Sequence, residues 1–141
     1  MSAHDIESLI PHKGSMCLWQ DVVAWSDAEV RLRTGSHRDA DNPLRSDGRL
    51  RAVHLCEYGA QAMAVHGGLR GAAAGGAPKV GFLVALRDVQ LHVARIDDLD
   101  GDLECDATLL AESPASQQYA FRVSHAGTVL AEGRAAVMLQ G

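Results

Sequence analysis

The stretch Ala52-Val53-His54-Leu55-Cys56-Glu57-Tyr58-Gly59-Ala60-Gln61-Ala62-Met63-Ala64-Val65-His66-Gly67 decides the fold. Val53, Cys56, Ala60, Met63 and Ala64 recur at helical spacing. The other faces are almost as apolar, through Leu55, Gly59, Ala62 and Val65. Glu57 is the only acidic residue in the segment, which contains no Lys or Arg. A helix apolar nearly all round is enclosed by other elements. Its small residues let a sheet approach closely, and Gly67-Gly68 supplies a stop signal. The segment therefore predicts one buried helix from Ala52 to Gly67.

The flanking sequence supplies the enclosure. Ile6 to Ile10 reads as a helical turn, with Asp5 as cap and Pro11 closing it. Met16 to Trp25 is an apolar run with the character of a strand. After the Ser26-Asp27 turn, Val30 and Leu32 alternate with Arg31 and Arg33, the period of a half-buried strand. Residues 35–50 are dense in turn formers and predict a long polar loop of the functional kind. Beyond the helix, Gly71 to Gly76 predicts a loop. Lys79 to Val93 reads as a long strand whose parity slips at Arg87-Asp88, the mark of a bulge. Strands over Asp102 to Glu112, Gln118 to His125 and Thr128 to Leu139 follow, the last two joined by a turn at His125-Ala126-Gly127. The order predicts an α+β domain over residues 1–141, with four meandering strands after one long helix.

Bulk properties narrow the function. A chain of 141 residues fits one domain. A net charge of −5, with Lys and Arg scattered, argues against nucleic acid. Arg45, Arg49 and Arg51 form the densest basic group, either a solvated loop or a patch for an anionic partner. Cys17, Cys56 and Cys105 are odd in number and lack metal spacing, which argues against a disulfide framework or structural zinc. The expectation is a cytoplasmic protein with no membrane insertion.

Glu57 is the most informative residue. A carboxylate buried on an apolar helix is paired or neutralised, and a protonated carboxyl serves as a general acid. The competing reading places it on the exposed side of the first helical turns, favoured by the helix dipole. His37 in the polar loop and His54, on the face of Glu57, are candidate bases. His54 and Glu57 lack a third ligand at sensible spacing, so no metal is expected. His12, His92 and His125 read as structural, and Cys56 as a core residue. The chain lacks the GxSxG, GxGxxG and Walker patterns.

Three segments resemble a known family. Leu9-Ile10-Pro11-His12-Lys13-Gly14-Ser15-Met16 is similar to the Leu-Pro-His-Arg-x-Pro opening of FabZ-like 3-hydroxyacyl-[acyl-carrier-protein] dehydratases. Glu57-Tyr58-Gly59-Ala60-Gln61-Ala62 resembles their central-helix pattern. Gly81-Phe82-Leu83 with Asp88-Val89-Gln90-Leu91 looks like the strand that follows. The loop Ser36 to Leu44 before Leu55 to Ala64 resembles the ApeP-like branch, associated with aryl polyene pathways.

The resemblance implies a dimeric hotdog fold, an antiparallel sheet wrapped round one helix. It implies dehydration of a 3-hydroxyacyl thioester to a trans-2-enoyl thioester, without a cofactor, on chains linked through 4'-phosphopantetheine to acyl carrier protein. In that scheme Glu57 is the acid, His37 the base and His54 the reserve base. Gln61, Val53, Gly81 and Phe82 contact substrate, and a backbone N–H at the helix start polarises the thioester carbonyl. The partner implied is a second copy or another hotdog subunit. His37 stands farther from Glu57 than in the family pattern and is followed by Arg38-Asp39, and Arg51-Ala52-Val53 replaces a Pro-Gly. A hotdog thioesterase, and a non-catalytic subunit binding a carrier protein or a partner dehydratase, are the alternatives.

Overall fold

The computed structural model describes residues 6–75 and 80–140. Asp5 and Lys79, the expected cap and strand start, lie outside them. Strand β1 (Asp21–Trp25) pairs antiparallel with β2 (Glu29–Thr34), giving the expected hairpin. Helix α1 (Leu55–Ala73) follows the polar loop and a short 3-10 turn over Ala52–His54. Then come β3 (Val80–Leu91), β4 (Leu103–Ser113), β5 (Ser116–His125) and β6 (Thr128–Gln140). Ala126 and Gly127 both have positive φ (49° and 84°), the geometry of a two-residue hairpin turn.

All six strands form one antiparallel sheet in the order β1-β2-β4-β5-β6-β3. This corrects the expected four-strand meander. Only β4, β5 and β6 meander, whereas β3 pairs with β6 at the far edge. The connection from β3 to β4 is long enough to cross back beneath the entry to α1. There the Ala52 N–H donates to Ala94 O and the Ile96 N–H to Leu50 O. The bulge in β3 falls where the parity slip put it, with Asp88 at φ 52° and a register shift between Arg87 and Gln90.

The core lies between α1 and the concave face of the sheet. Leu55, Tyr58, Ala62, Val65 and Leu69 of the helix are buried with Val30 and Leu32, Leu103 and Cys105, and Tyr119, Phe121 and Val123. β2 keeps the predicted alternation, with Val30, Leu32 and Thr34 inside. Close approach explains the helical glycines. A Cβ on Gly59 would stand 2.6 Å from the Phe121 ring, and one on Gly68 2.6 Å from the Leu9 carbonyl oxygen. Gly67-Gly68 is thus not a stop. Gly68 is buried contact surface, and the helix continues to Ala73 before Gly75 turns it off at φ 72°.

The expected strand from Met16 also shortens. Gly14–Met16 is a 3-10 turn, and β1 begins at Asp21. At Leu18 the backbone bonds to side chains instead of a ladder. The Leu18 N–H donates to Gln61 Oε1 (2.9 Å), and Leu18 O accepts the hydroxyls of Thr34 (2.6 Å) and Ser36 (2.7 Å).

Among the described residues two histidines are fully buried. His66 places Nδ1 2.7 Å from the Tyr119 hydroxyl and Nε2 2.8 Å from Ser26 O. His37 places Nε2 2.9 Å from Leu99 O. Burial lowers both pKa values below the ordinary 6.5. Below that pH the unfolded chain binds more protons than the folded one. The stability these neutral rings confer is therefore complete above about pH 6.5 and lost as the pH falls toward their lowered folded values. Urea midpoints should drop on acidification through this window, and His66→Gln should flatten the drop. An equal drop in the variant would refute the assignment.

Candidate active site

The polar loop is tied to α1 by a buried network. Ser36 donates its hydroxyl to Leu18 O and lies 2.9 Å from the Tyr58 hydroxyl, which donates to it. Asn42 Nδ2 donates to Ser36 O (2.9 Å) and to the Tyr58 hydroxyl (3.1 Å), while Asn42 Oδ1 accepts the Leu44 N–H. Burial raises the pKa of Tyr58, so the hydroxyl keeps its proton. Arg45 donates to the carbonyls of His37, Asp39 and Gly48. It belongs to the loop's own scaffold rather than to a free basic patch. Arg38, Arg49 and Arg51 are exposed and carry no ion pair among the described residues.

A second set of bonds fastens the N-terminal segment to the helix. Gln61 Nε2 donates to Met16 O (2.8 Å), and Trp19 Nε1 donates to Tyr58 O (2.7 Å). Gln61 Nε2 also lies 3.1 Å from Glu57 Oε1, one turn earlier. The docked segment brings His12 to the same carboxylate, with Nε2 3.4 Å from Glu57 Oε1. The side chains of His12 and Glu57 are 30% and 36% exposed. Glu57 is therefore neither sealed in the core nor free on the surface.

Its exposed side opens on a groove of about 1050 Å³. Ala60, Ala64, Gly67 and Gly71 form a smooth floor along α1. Gly81 to Leu83 and the end of β6 line the opposite side. The far end is polar, where Arg70 bridges Asp27 (3.0 Å) and Glu112 (2.8 Å). That bridge pulls the Glu112 carboxyl below the ordinary range.

Of the residues singled out in the sequence, the structure brings together Glu57, Gln61, Gly81 and Phe82 around this groove. Val53, exposed, and His54, half-buried, sit at the helix entrance and do not line it. His37 has no exposed surface, and its buried Nδ1 has no partner among the described residues. The structure places His12, a structural residue by its sequence context, beside Glu57. Only its Pro-His context could have singled it out, because the two residues are far apart in the chain. Among the described residues no cluster of three or more His, Cys, Asp or Glu could hold a metal ion, and no helix is long and apolar enough to cross a membrane.

A helix enclosed by one antiparallel sheet, carrying a carboxylate at the mouth of an apolar groove, defines a hotdog enzyme. The chain belongs to the ApeP-like family: the model described as ApeP dehydratase matches residues 4–140. The dehydratase heterocomplex ApeI:P from Xenorhabdus doucetiae superposes with a TM-score of 0.86 at 25% identity, over 96% of this chain and 91% of that one. A hypothetical thioesterase with coenzyme A from Streptococcus pneumoniae shares the fold, at TM-score 0.65 and 12% identity, over 99% and 94% of the two chains. A conserved protein of Pseudomonas aeruginosa does so at TM-score 0.62 and 17% identity, over 85% and 87%. A search of curated proteins returns no match.

The Tyr58 hydroxyl joins loop to helix, so Tyr58→Phe leaves Ser36 and Asn42 short of a partner. It should lower unfolding free energy by about 1–3 kcal/mol in denaturant titrations. An unchanged midpoint would show that the network carries no weight.

Proposed function

We propose that this chain dehydrates a 3-hydroxyacyl thioester, carried on the 4'-phosphopantetheine arm of an acyl carrier protein, to the trans-2-enoyl thioester. The observation that carries the reading is Glu57, held by Gln61 at the mouth of an apolar groove. Membership of a family described as a dehydratase supports it. Glu57 delivers the proton that lets the 3-hydroxyl leave as water. The acyl chain lies along the Ala60-Ala64-Gly67 floor against Gly81 and Phe82. The thioester carbonyl faces the start of α1, where the positive end of the helix dipole stabilises developing negative charge. His37 and His54 lie away from the groove of their own chain, so either would have to reach a Glu57 from a second subunit.

Strand β3 supports such a subunit. It is an edge strand of twelve residues, and Phe82, Leu83, Val84, Leu86, Val89 and Leu91 are all exposed on it. A long apolar edge left bare is an aggregation site. We assign it to pairing with a second hotdog subunit, and the heterocomplex described for the Xenorhabdus relative favours a non-identical one. The exposed arginines 38, 49 and 51 offer positive charge to an acidic carrier protein.

The reaction is tested with 3-hydroxyoctanoyl-pantetheine, following enoyl absorbance and free thiol together, with and without the partner subunit. Enoyl product without thiol is expected, and Glu57→Gln should slow it about 10²–10⁴-fold with melting unchanged. Thiol release without enoyl product would make the chain a thioesterase instead. Turnover on mixing that survives Glu57→Gln would make it a non-catalytic subunit.

The edge is tested by light scattering. Val84→Lys should halve the mass of the assembly, since a charge on a paired apolar edge opposes association. A mass unmoved by the substitution would show that the interface lies elsewhere.

A further inference from the structure

Leu50, Arg51 and Ala52 run alongside Ala94, Arg95 and Ile96 just before α1 begins. The Ala52 N–H donates to Ala94 O, and the Ile96 N–H donates to Leu50 O. Those two bonds bracket Arg51 and Arg95, which face each other across an isolated antiparallel bridge. A pair bracketed in this way is the non-hydrogen-bonded kind, with Cα atoms about 4.5 Å apart and both side chains on one face. Leu50, Ala52 and Ile96 are buried on the opposite face, so the two arginines point outward. Like charges directly opposite each other repel.

Asp97 answers only one of the two. Arg95 donates to it through Nε (3.1 Å) and Nη2, and Asp97 Oδ1 also accepts the Leu50 N–H at 2.8 Å. The carboxylate is thus fixed to the backbone and fixes Arg95 in turn, leaving Nη1 for another acceptor. Exposed Asp98 acts on Arg95 only through space. Among the described residues no hydrogen bond or ion pair engages the Arg51 guanidinium. Two planar forks therefore stand side by side on the outside of the fold, with one charge unanswered. An arginine fork matches the oxygens of a phosphate in geometry as well as in charge. Arg51 precedes Glu57 by six residues, about 10 Å along the helix axis. A group bound there is joined to the reacting carbons by an extended arm and does not touch them. Strand β3, the edge assigned to the second subunit, ends at Leu91 and stops short of Arg95.

We propose, on the reading of the substrate as a pantetheine thioester, that Arg51 and Arg95 clamp the phosphate at the outer end of its arm. The phosphate bridges the two guanidiniums and cancels their mutual repulsion as it binds. Asp97 already holds Arg95 in place, so only Arg51 has to be ordered on binding. The same phosphate ester occurs on a carrier protein and in coenzyme A. The clamp grips that group equally before and during the reaction, so it acts on KM and leaves kcat alone.

The test compares 3-hydroxyoctanoyl-pantetheine with 3-hydroxyoctanoyl-4'-phosphopantetheine, on the full chain in the assembly it forms. The phosphate should lower KM about tenfold with kcat unchanged. Arg51→Gln and Arg95→Gln should each cancel that gain without raising KM for the unphosphorylated substrate. Arg122→Gln, which removes an exposed charge from β5, should keep the whole gain. Equal KM values for the two substrates in the unmodified chain, a full gain in either clamp variant, or its loss in Arg122→Gln overturns the inference. Substrates on a carrier protein and on coenzyme A separate the two sources. The clamp serves each one whose KM rises in Arg51→Gln, and a KM unmoved on both overturns it. Calorimetry with 4'-phosphopantetheine and pantetheine repeats the comparison without turnover. A phosphate gain there with no enoyl product from any substrate upholds the clamp and overturns the dehydratase reading, and enoyl product with no phosphate gain does the reverse.

Discussion

A helix without an exposed charged face imposes the main constraint on this molecule. Helix α1 has to be enclosed, and the curved six-stranded sheet encloses one side of it through Leu55, Tyr58, Ala62, Val65 and Leu69. The other side carries Glu57, Ala60, Ala64 and Gly67, too small to fill the space above them, and so becomes the floor of a groove. Core and site are thus two faces of one element. Gly59 belongs to the first face, since it admits the Phe121 ring, and Gly67 to the second.

Much of this was legible in the sequence because it rests on local patterns. The period of Val30 and Leu32, the parity slip at Asp88 and the Ala126-Gly127 turn each announce a backbone geometry over a few residues. Glu57 stood out because charge is so scarce around it. What escaped was non-local. Nothing near β3 says that its neighbour is β6, since that choice depends on the path of the connection past Leu50 and Ala52. Gly68 looked like a terminator because its close contact, Leu9, lies far off in the chain. His12 meets Glu57 only after Gln61 and Trp19 have docked the N-terminal segment.

The same distances explain how motif residues divide their labour. Ser36, Asn42 and Tyr58 form a joint between loop and helix and stand apart from the groove. His37 is spent inside the loop on Leu99. The shared loop pattern is therefore first a device for setting the entry of α1. The polar groups that reach the groove mouth are different ones, with Glu57 foremost among them.

Gln61 gives that arrangement a history as well as a shape. Its amide spans Leu18 and Met16 on one side and Glu57 on the other. The N-terminal segment leaves the ribosome before α1 exists, and must wait for the helix before it can settle. The carboxylate acquires its orientation in the same event, because one side chain makes both attachments. Damage or crowding at the N-terminal segment would thus reorient the carboxylate without touching it, and a chain with a correctly held Glu57 has, by that fact, settled its N-terminal segment.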